Sequence, residues 1–325
     1  MAEVAPEEFR DLVLEGAQAA GLVSDLVERD YWMYQVTKCL LGHSDRYPGS
    51  RTVMGGGSML ALGGIVERVS EDADFAATWP DGVLNCSSNK GKRLLDEYQS
   101  RVGKHLALDT ERLGSGGGNF FRSVRYYYKS QVLGPEARLF VLSDLGIRDI
   151  DDDMTITLDA RPYLSRFVAE QGADLPPDLE PVEIVGMHPA SILADKLDAV
   201  CWRAKQVPAE GSRALNSLRT RVRDHYDIFR LIGWLETHGL LTADLVARAV
   251  DHTRRGDEII RQIRGVRRPI HPRPESGYHT LRTWQPGTGE YEAVASAYPS
   301  LGAIVYGEMP DFDVVAERIR ECEVL

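Results

Sequence analysis

At 325 residues and 36.2 kDa, the chain exceeds what one hydrophobic core usually serves, so two domains are expected. With 43% hydrophobic and 27% charged residues, it is not disordered, collagen-like or a coiled coil. The net charge of −11 is uneven: residues 201–282 hold 16 Lys/Arg against 9 Asp/Glu, which leaves the remainder strongly acidic.

No uncharged apolar run approaches the ~20 residues of a membrane span. The segment Met1–Glu8 is acidic and lacks a basic stretch followed by an apolar one. The expectation is a cytoplasmic protein without a signal peptide. Cys39, Cys86, Cys201 and Cys322 are too scattered for a zinc or redox motif, and the eight histidines show no metal-binding register. The cysteines are expected to be buried thiols, and any metal would be held by carboxylates.

Residues 7–42 predict two helices, the second from Ser24 to Leu41. A turn at Pro48-Gly49-Ser50 leads into a strand, Arg51–Met54. Gly55-Gly56-Gly57-Ser58 then opens a short helix over Met59–Leu62. An alternating strand pattern covers Glu67–Ala76, followed by a helix over Asn89–Ala107. Gly114–Gly118 predicts a loop, and Phe121–Val132 and Met154–Leu158 predict strands. The proline-rich stretch Gln171–Pro181 marks a domain boundary, giving domains 1–172 and 173–325. Helices are expected over His188–Gln206, Ser217–His238, Thr242–Arg264 and Phe312–Cys322, with Pro269–Thr288 irregular. The arginines 254, 255, 261, 264, 267, 268 and 273 crowd together. They form either a solvated surface or a polyanion-binding one.

Residues two apart on a strand share a face, so Ser70, Asp72 and Asp74 point one way and Ala73 and Phe75 the other. Two carboxylates about 7 Å apart on one strand can grip the same divalent ion. A hard ion such as Mg²⁺ takes oxygen ligands and bridges phosphates, which points to a nucleoside triphosphate. Upstream, Gly56-Gly57-Ser58 between strand and helix lets backbone N–H groups approach a phosphate. Neither element is specific alone. An Asp-x-Asp arises often by chance, and a glycine pair before a helix also makes a tight turn.

Together they carry a resemblance. Gly56-Gly57-Ser58 followed by Arg68-x-Ser70-x-Asp72-x-Asp74-Phe75 resembles the AbiEii/MenT nucleotidyltransferase toxins of the DNA polymerase beta-like superfamily. Glu28-Arg29-Asp30-Tyr31-Trp32, Ile192–Ala199 around Lys196, and Arg223-Asp224-His225-Tyr226-Asp227 match further motifs of that family in the same order. The match covers residues 24–235.

The resemblance implies an α+β, bilobed protein, with a polymerase beta-like core on a mixed sheet and a mainly helical C-terminal domain. It implies that Asp72 and Asp74 bind catalytic Mg²⁺ or Mn²⁺, and that Gly56, Gly57 and Ser58 bind the NTP. Lys196 would contact the nucleotide phosphates, and Asp224 would complete the site. Ser70 is a candidate regulatory residue, since some members are silenced at this serine. Asp159 is the candidate third metal carboxylate. Arg68 either contacts phosphate or pairs with Glu71. Tyr31 and Trp32 are expected in the core, as is the Tyr126-Tyr127-Tyr128 run rather than in a base-stacking platform.

The implied activity is transfer of a nucleoside monophosphate from an NTP to the 3′ end of tRNA, blocking aminoacylation. A separately encoded antitoxin is the implied partner. Two alternatives stay open: transfer to a protein or small-molecule hydroxyl, and a non-catalytic nucleotide-binding regulator.

Overall fold

The computed structural model describes residues 6–41, 50–116, 119–134, 136–264 and 274–325. Gly117 and Gly118 of the expected loop, Pro48 and Gly49 of the expected turn, and Arg267, Arg268 and Arg273 of the arginine cluster lie outside them. The protein is α+β. The chain divides into two compact units, Met1–Met187 with Ile259–Val266, and His188–Glu258 with Arg267–Leu325.

The first unit starts with helices α1 (Pro6–Ala20) and α2 (Ser24–Leu41). Seven strands follow: β1 (Thr52–Gly55), β2 (Asp72–Ala77), β3 (Asp109–Gly116), β4 (Phe121–Lys129), β5 (Arg138–Ile147), β6 (Thr155–Ala160) and β7 (Val182–Met187). They form one mixed sheet in the order β3-β4-β5-β2-β1-β7-β6, parallel only between β2 and β5 and between β1 and β7. Helices α3 (Gly56–Leu62), α4 (Ser88–His105) and α5 (Tyr163–Glu170) belong to the same unit, together with residues 259–264 of a later helix. β7 follows the proline-rich loop and pairs with β1 and β6.

Burial alternates along the strands and separates two faces of the sheet. On β4, Arg122, Val124, Tyr126 and Tyr128 are buried, while Ser123, Arg125 and Tyr127 are half-buried. The buried face carries α4 and α2. Arg122 bonds Gln99 of α4, and the Trp32 ring of α2 stacks on Tyr128 at 5.2 Å. Tyr127 therefore departs from the expected core run, because the strand's two-residue period turns it to the other face.

The charged motif on α2 serves this scaffold. Glu28, fully buried, accepts hydrogen bonds from Ser130 Oγ at 2.6 Å and Gln131 N–H at 2.7 Å, which fixes the β4–β5 turn. Asp30 accepts the Tyr163 N–H at 2.7 Å and so caps α5, whose own N-terminal neighbour, Pro162, offers no side-chain cap. Burial pushes the Asp30 carboxyl up to about 6 against the pull of that N–H.

The second unit is helical: α6 (Pro189–Glu210), α7 (Ser212–Arg219), α8 (Arg223–Thr237), the part of α9 (Ala243–Arg264) up to Glu258, α10 (Gly289–Ala297) and α11 (Phe312–Arg320). Its core is aromatic around His225. Trp284 Nε1 donates to His225 Nδ1 at 3.0 Å, and the Phe312 ring meets the imidazole edge-on.

Several elements differ from expectation. β2 begins at Asp72 rather than Glu67, and Gly114–Gly116 continue β3 instead of forming a loop. The single helix expected over Ser217–His238 is two, α7 and α8. β3, β5, β7, α5 and α10 have no counterpart among the expected elements. β5 escapes the alternation test because Phe140 and Leu142 place apolar side chains on the face opposite the buried Val141 and Leu145. The four cysteines are free and buried, as expected. No described helix is long and apolar enough to cross a membrane.

Candidate active site

The glycine turn and the carboxylate strand are locked together in the first unit. β1 ends at Gly55, which is in register with Asp74 on antiparallel β2. Gly56 has φ +60°, a conformation that disfavours any side chain. A Cβ on it would lie 2.0 Å from Asp74 Oδ2, so the backbone touches the carboxylate. Ser58 is fully buried; its Oγ donates to the Gly55 carbonyl at 3.2 Å and accepts the Asp74 N–H at 3.1 Å.

Arg68 is also fully buried. Its Nη1 donates to the Val69 carbonyl at 3.0 Å, and its Nη2 would lie 2.5 Å from a Cβ on Gly57. The guanidinium thus supports the turn from inside the protein. Ser70 is buried, with its Oγ donating to the Asp72 carbonyl at 3.2 Å.

Asp72 and Asp74 lie on one face of β2, both half-buried, with Ala73 and Phe75 buried behind them. A third carboxylate joins them from an element absent from the sequence reading. Asp144 of β5 is the register partner of Asp74 across the parallel pair and stands opposite Ser123 of β4. Neighbouring strands run about 4.8 Å apart, so Asp74 and Asp144 are adjacent on this face. Asp144 Oδ1 is buried and has no hydrogen-bond partner. Burial raises the Asp144 pKa, and the Asp72 charge raises it further, against a lowering bond from Ser123. Asp159, by contrast, sits on edge strand β6, three strands from β2, and lies 3.7 Å from Arg161.

Among the described residues, no three acid, imidazole or thiol side chains are disposed to hold an ion as they stand. The donor chemistry still fits a hard cation. Asp72, Asp74 and Asp144 all offer carboxylate oxygens, and the unpartnered Asp144 oxygen near the Asp72 charge is what a divalent ion relieves.

In the second unit, Lys196 of α6 donates to Asp224 Oδ1 at 3.1 Å and lies 2.7 Å from Asp227 Oδ2, both on α8. Arg203 donates to the other Asp224 oxygen at 3.1 Å. Burial alone would raise the Asp224 pKa; Lys196 and Arg203 outweigh it and hold it below the usual carboxylate range. The cluster is two cations against two anions, with Asp227 wholly buried. Of the arginine cluster, Arg254 faces Asp198 at 3.9 Å.

A glycine turn pressed against a strand carboxylate, with two further carboxylates beside it, suits the nucleotidyltransferase class. A family model described as nucleotidyl transferase AbiEii toxin, type IV toxin–antitoxin system, matches residues 39–318. The chain belongs to that family and is a toxin-type nucleotidyltransferase. Among solved structures it is similar to JHP933 from Helicobacter pylori, at 14% identity and TM-score 0.40, over 92% of this chain and 94% of that one. It is similar also to the MenT4 nucleotidyltransferase toxin of Mycobacterium tuberculosis H37Rv, at 16% identity and TM-score 0.41, over 98% and 88%. No curated protein matches the chain.

Proposed function

We propose that the protein transfers a nucleoside monophosphate from an NTP to the 3′ end of tRNA, in a reaction that requires Mg²⁺ or Mn²⁺, and so blocks aminoacylation. The observation that carries the transferase part of this reading is the adjacency of Asp74 and Asp144 beside the Gly56 backbone. Asp72, Asp74 and Asp144 would hold the cation, which when bound polarises the α-phosphate and lowers the pKa of the attacking hydroxyl.

The protein's own residues set the stage for that chemistry. Gly56 and Gly57 carry no side chain, so the triphosphate can approach the backbone N–H groups of the turn. Ser58, through its bond to the Asp74 N–H, keeps turn and carboxylate at a fixed separation. In the second unit, Asp224 and Asp227 orient the ammonium of Lys196, the cation to which the family resemblance assigns a phosphate contact. The family's toxin–antitoxin character supports a cognate antitoxin as partner.

The test is incubation of purified protein with total tRNA, Mg²⁺ and each α-labelled NTP in turn, with Asp72→Ala as control. Label on tRNA from the intact protein alone supports the reading. Label on protein, or none anywhere, overturns the tRNA acceptor.

A further inference from the structure

The sheet face that carries the carboxylates does not end at Asp144. Along β5 the same face continues through Leu142 and Phe140 to Arg138, and along β4 from Ser123 through Arg125 and Tyr127 to Lys129. These strands place Tyr127 opposite Phe140, with ring centroids 5.8 Å apart and edge to face. The Arg125 guanidinium lies 4.6 Å from the Phe140 centroid, and the Arg138 guanidinium 4.3 Å from that of Tyr127.

Tyr127, Phe140 and Leu142 are half-buried and Arg138 is exposed. α2 and α4 pack on the opposite face and do not account for this one. The cations keep their positions through Glu111, 3.4 Å from Arg125, and Asp109, 2.8 Å from Arg138. Lys129, exposed and opposite Arg138, leaves the patch net positive on a protein of charge −11. Planar guanidinium and aromatic groups beside a positive strand edge are what single-stranded nucleic acid stacks on. Phe140 is four residues from Asp144, about 13 Å along the strand, within reach of the nucleotides just behind a terminal hydroxyl.

We propose that the open face of β4 and β5 binds the single-stranded 3′ end of the acceptor RNA, with its hydroxyl at the carboxylates and the preceding bases stacked on Tyr127, Phe140 and their guanidinium partners. This rests on the RNA-acceptor reading above and assigns that reading its substrate-binding surface.

Phe140→Leu and Tyr127→Leu keep apolar volume and remove the π faces; Arg138→Glu reverses a charge at an exposed position. Two readouts apply: KM for tRNA against KM for NTP in the labelling assay, and anisotropy of a 5′-fluorescein RNA of about 12 nucleotides, a length within the usual single-strand site size. Each variant is expected to raise the KM for tRNA and the Kd for the oligonucleotide by about tenfold or more, leaving the KM for NTP and the melting temperature unchanged. Labelling of tRNA by the parent protein with no change in the three variants overturns the platform and leaves the acceptor reading standing. No labelling and no oligonucleotide binding by the parent overturns both.

Discussion

Ser58 Oγ accepts the backbone N–H of Asp74 at 3.1 Å while donating to the carbonyl of Gly55, so one buried hydroxyl joins the turn before α3 to the carboxylate strand. Ser58→Ala removes both bonds of this buried hydroxyl, which costs about 1–3 kcal/mol. Urea denaturation should show that loss, and the labelling assay a fall in kcat. A variant with unchanged midpoint would show that the bond is not needed.

Gly56→Ala tests the contact on the other side of the same carboxylate. The positive φ alone costs about 1–2 kcal/mol with a side chain, and the new methyl would displace Asp74. Nucleotidyl transfer should drop by about 100-fold or more, with the far-UV circular dichroism retained. Activity within a fewfold of the parent would contradict the close contact between Gly56 and Asp74.

Asp144→Asn separates stability from activity. One oxygen of the half-buried carboxylate is buried without a partner and the Asp72 charge acts on the group, so neutralising it should raise the melting temperature in metal-free buffer. The same change should abolish transfer. Mg²⁺ should raise the melting temperature of the parent protein and do so less for Asp144→Asn. Asp159→Asn, on the edge strand, should leave both properties unchanged.

Lys196→Met removes a cation 2.7 Å from the wholly buried Asp227. Breaking a buried ion pair on one side costs about 3–5 kcal/mol, read as a shift in urea midpoint. The double variant Lys196→Met with Asp227→Leu should recover most of that loss, because an apolar pair of similar volume needs no counter-charge.

Two buried groups give stability opposite pH slopes. Burial pushes His225 from 6.5 down to about 4, so between these values the unfolded chain binds more protons, and stability falls as pH drops from 6.5 towards 4. Asp30 is pushed from 3.8 up to about 6, so the folded state binds more protons there, and its contribution falls as pH rises through that window. Hydrogen exchange from pH 4 to 7 should show amides around His225 losing protection on acidification. His225→Asn should flatten that trend, and Asp30→Asn should remove the opposing slope around Tyr163.

Much of the candidate site's strand pair could be read from residues alone, because Gly56-Gly57-Ser58 and Asp72-Ala73-Asp74 are local patterns. Asp144 could not. Its neighbours Leu142 and Leu145 read as an apolar run, and its partnership with Asp74 exists only through a parallel pairing across seventy residues. A lone aspartate within such a run was the available signal. The same two-sided apolar character hid β5, and the glycines at 114–116 resembled a loop because a strand extending through them needs no side chains to pair. The lysine and aspartates of α6 and α8 were legible as motifs, but the ion pairs joining them, with Arg203 as a third participant, depend on how two helices pack.

The α2 carboxylates have a consequence for synthesis on the ribosome. Glu28 finds its partners 102 and 103 residues later, and Asp30 finds its N–H 133 residues later. A nascent chain that has emerged only through α4 carries two acids meant for the interior and nothing to bind them. Asp74 likewise waits for Asp144. A polypeptide released between Asp144 and Tyr163 would therefore contain Asp72, Asp74 and Asp144 and still lack the closed scaffold that aligns them, so interrupted translation of this toxin should yield inert fragments.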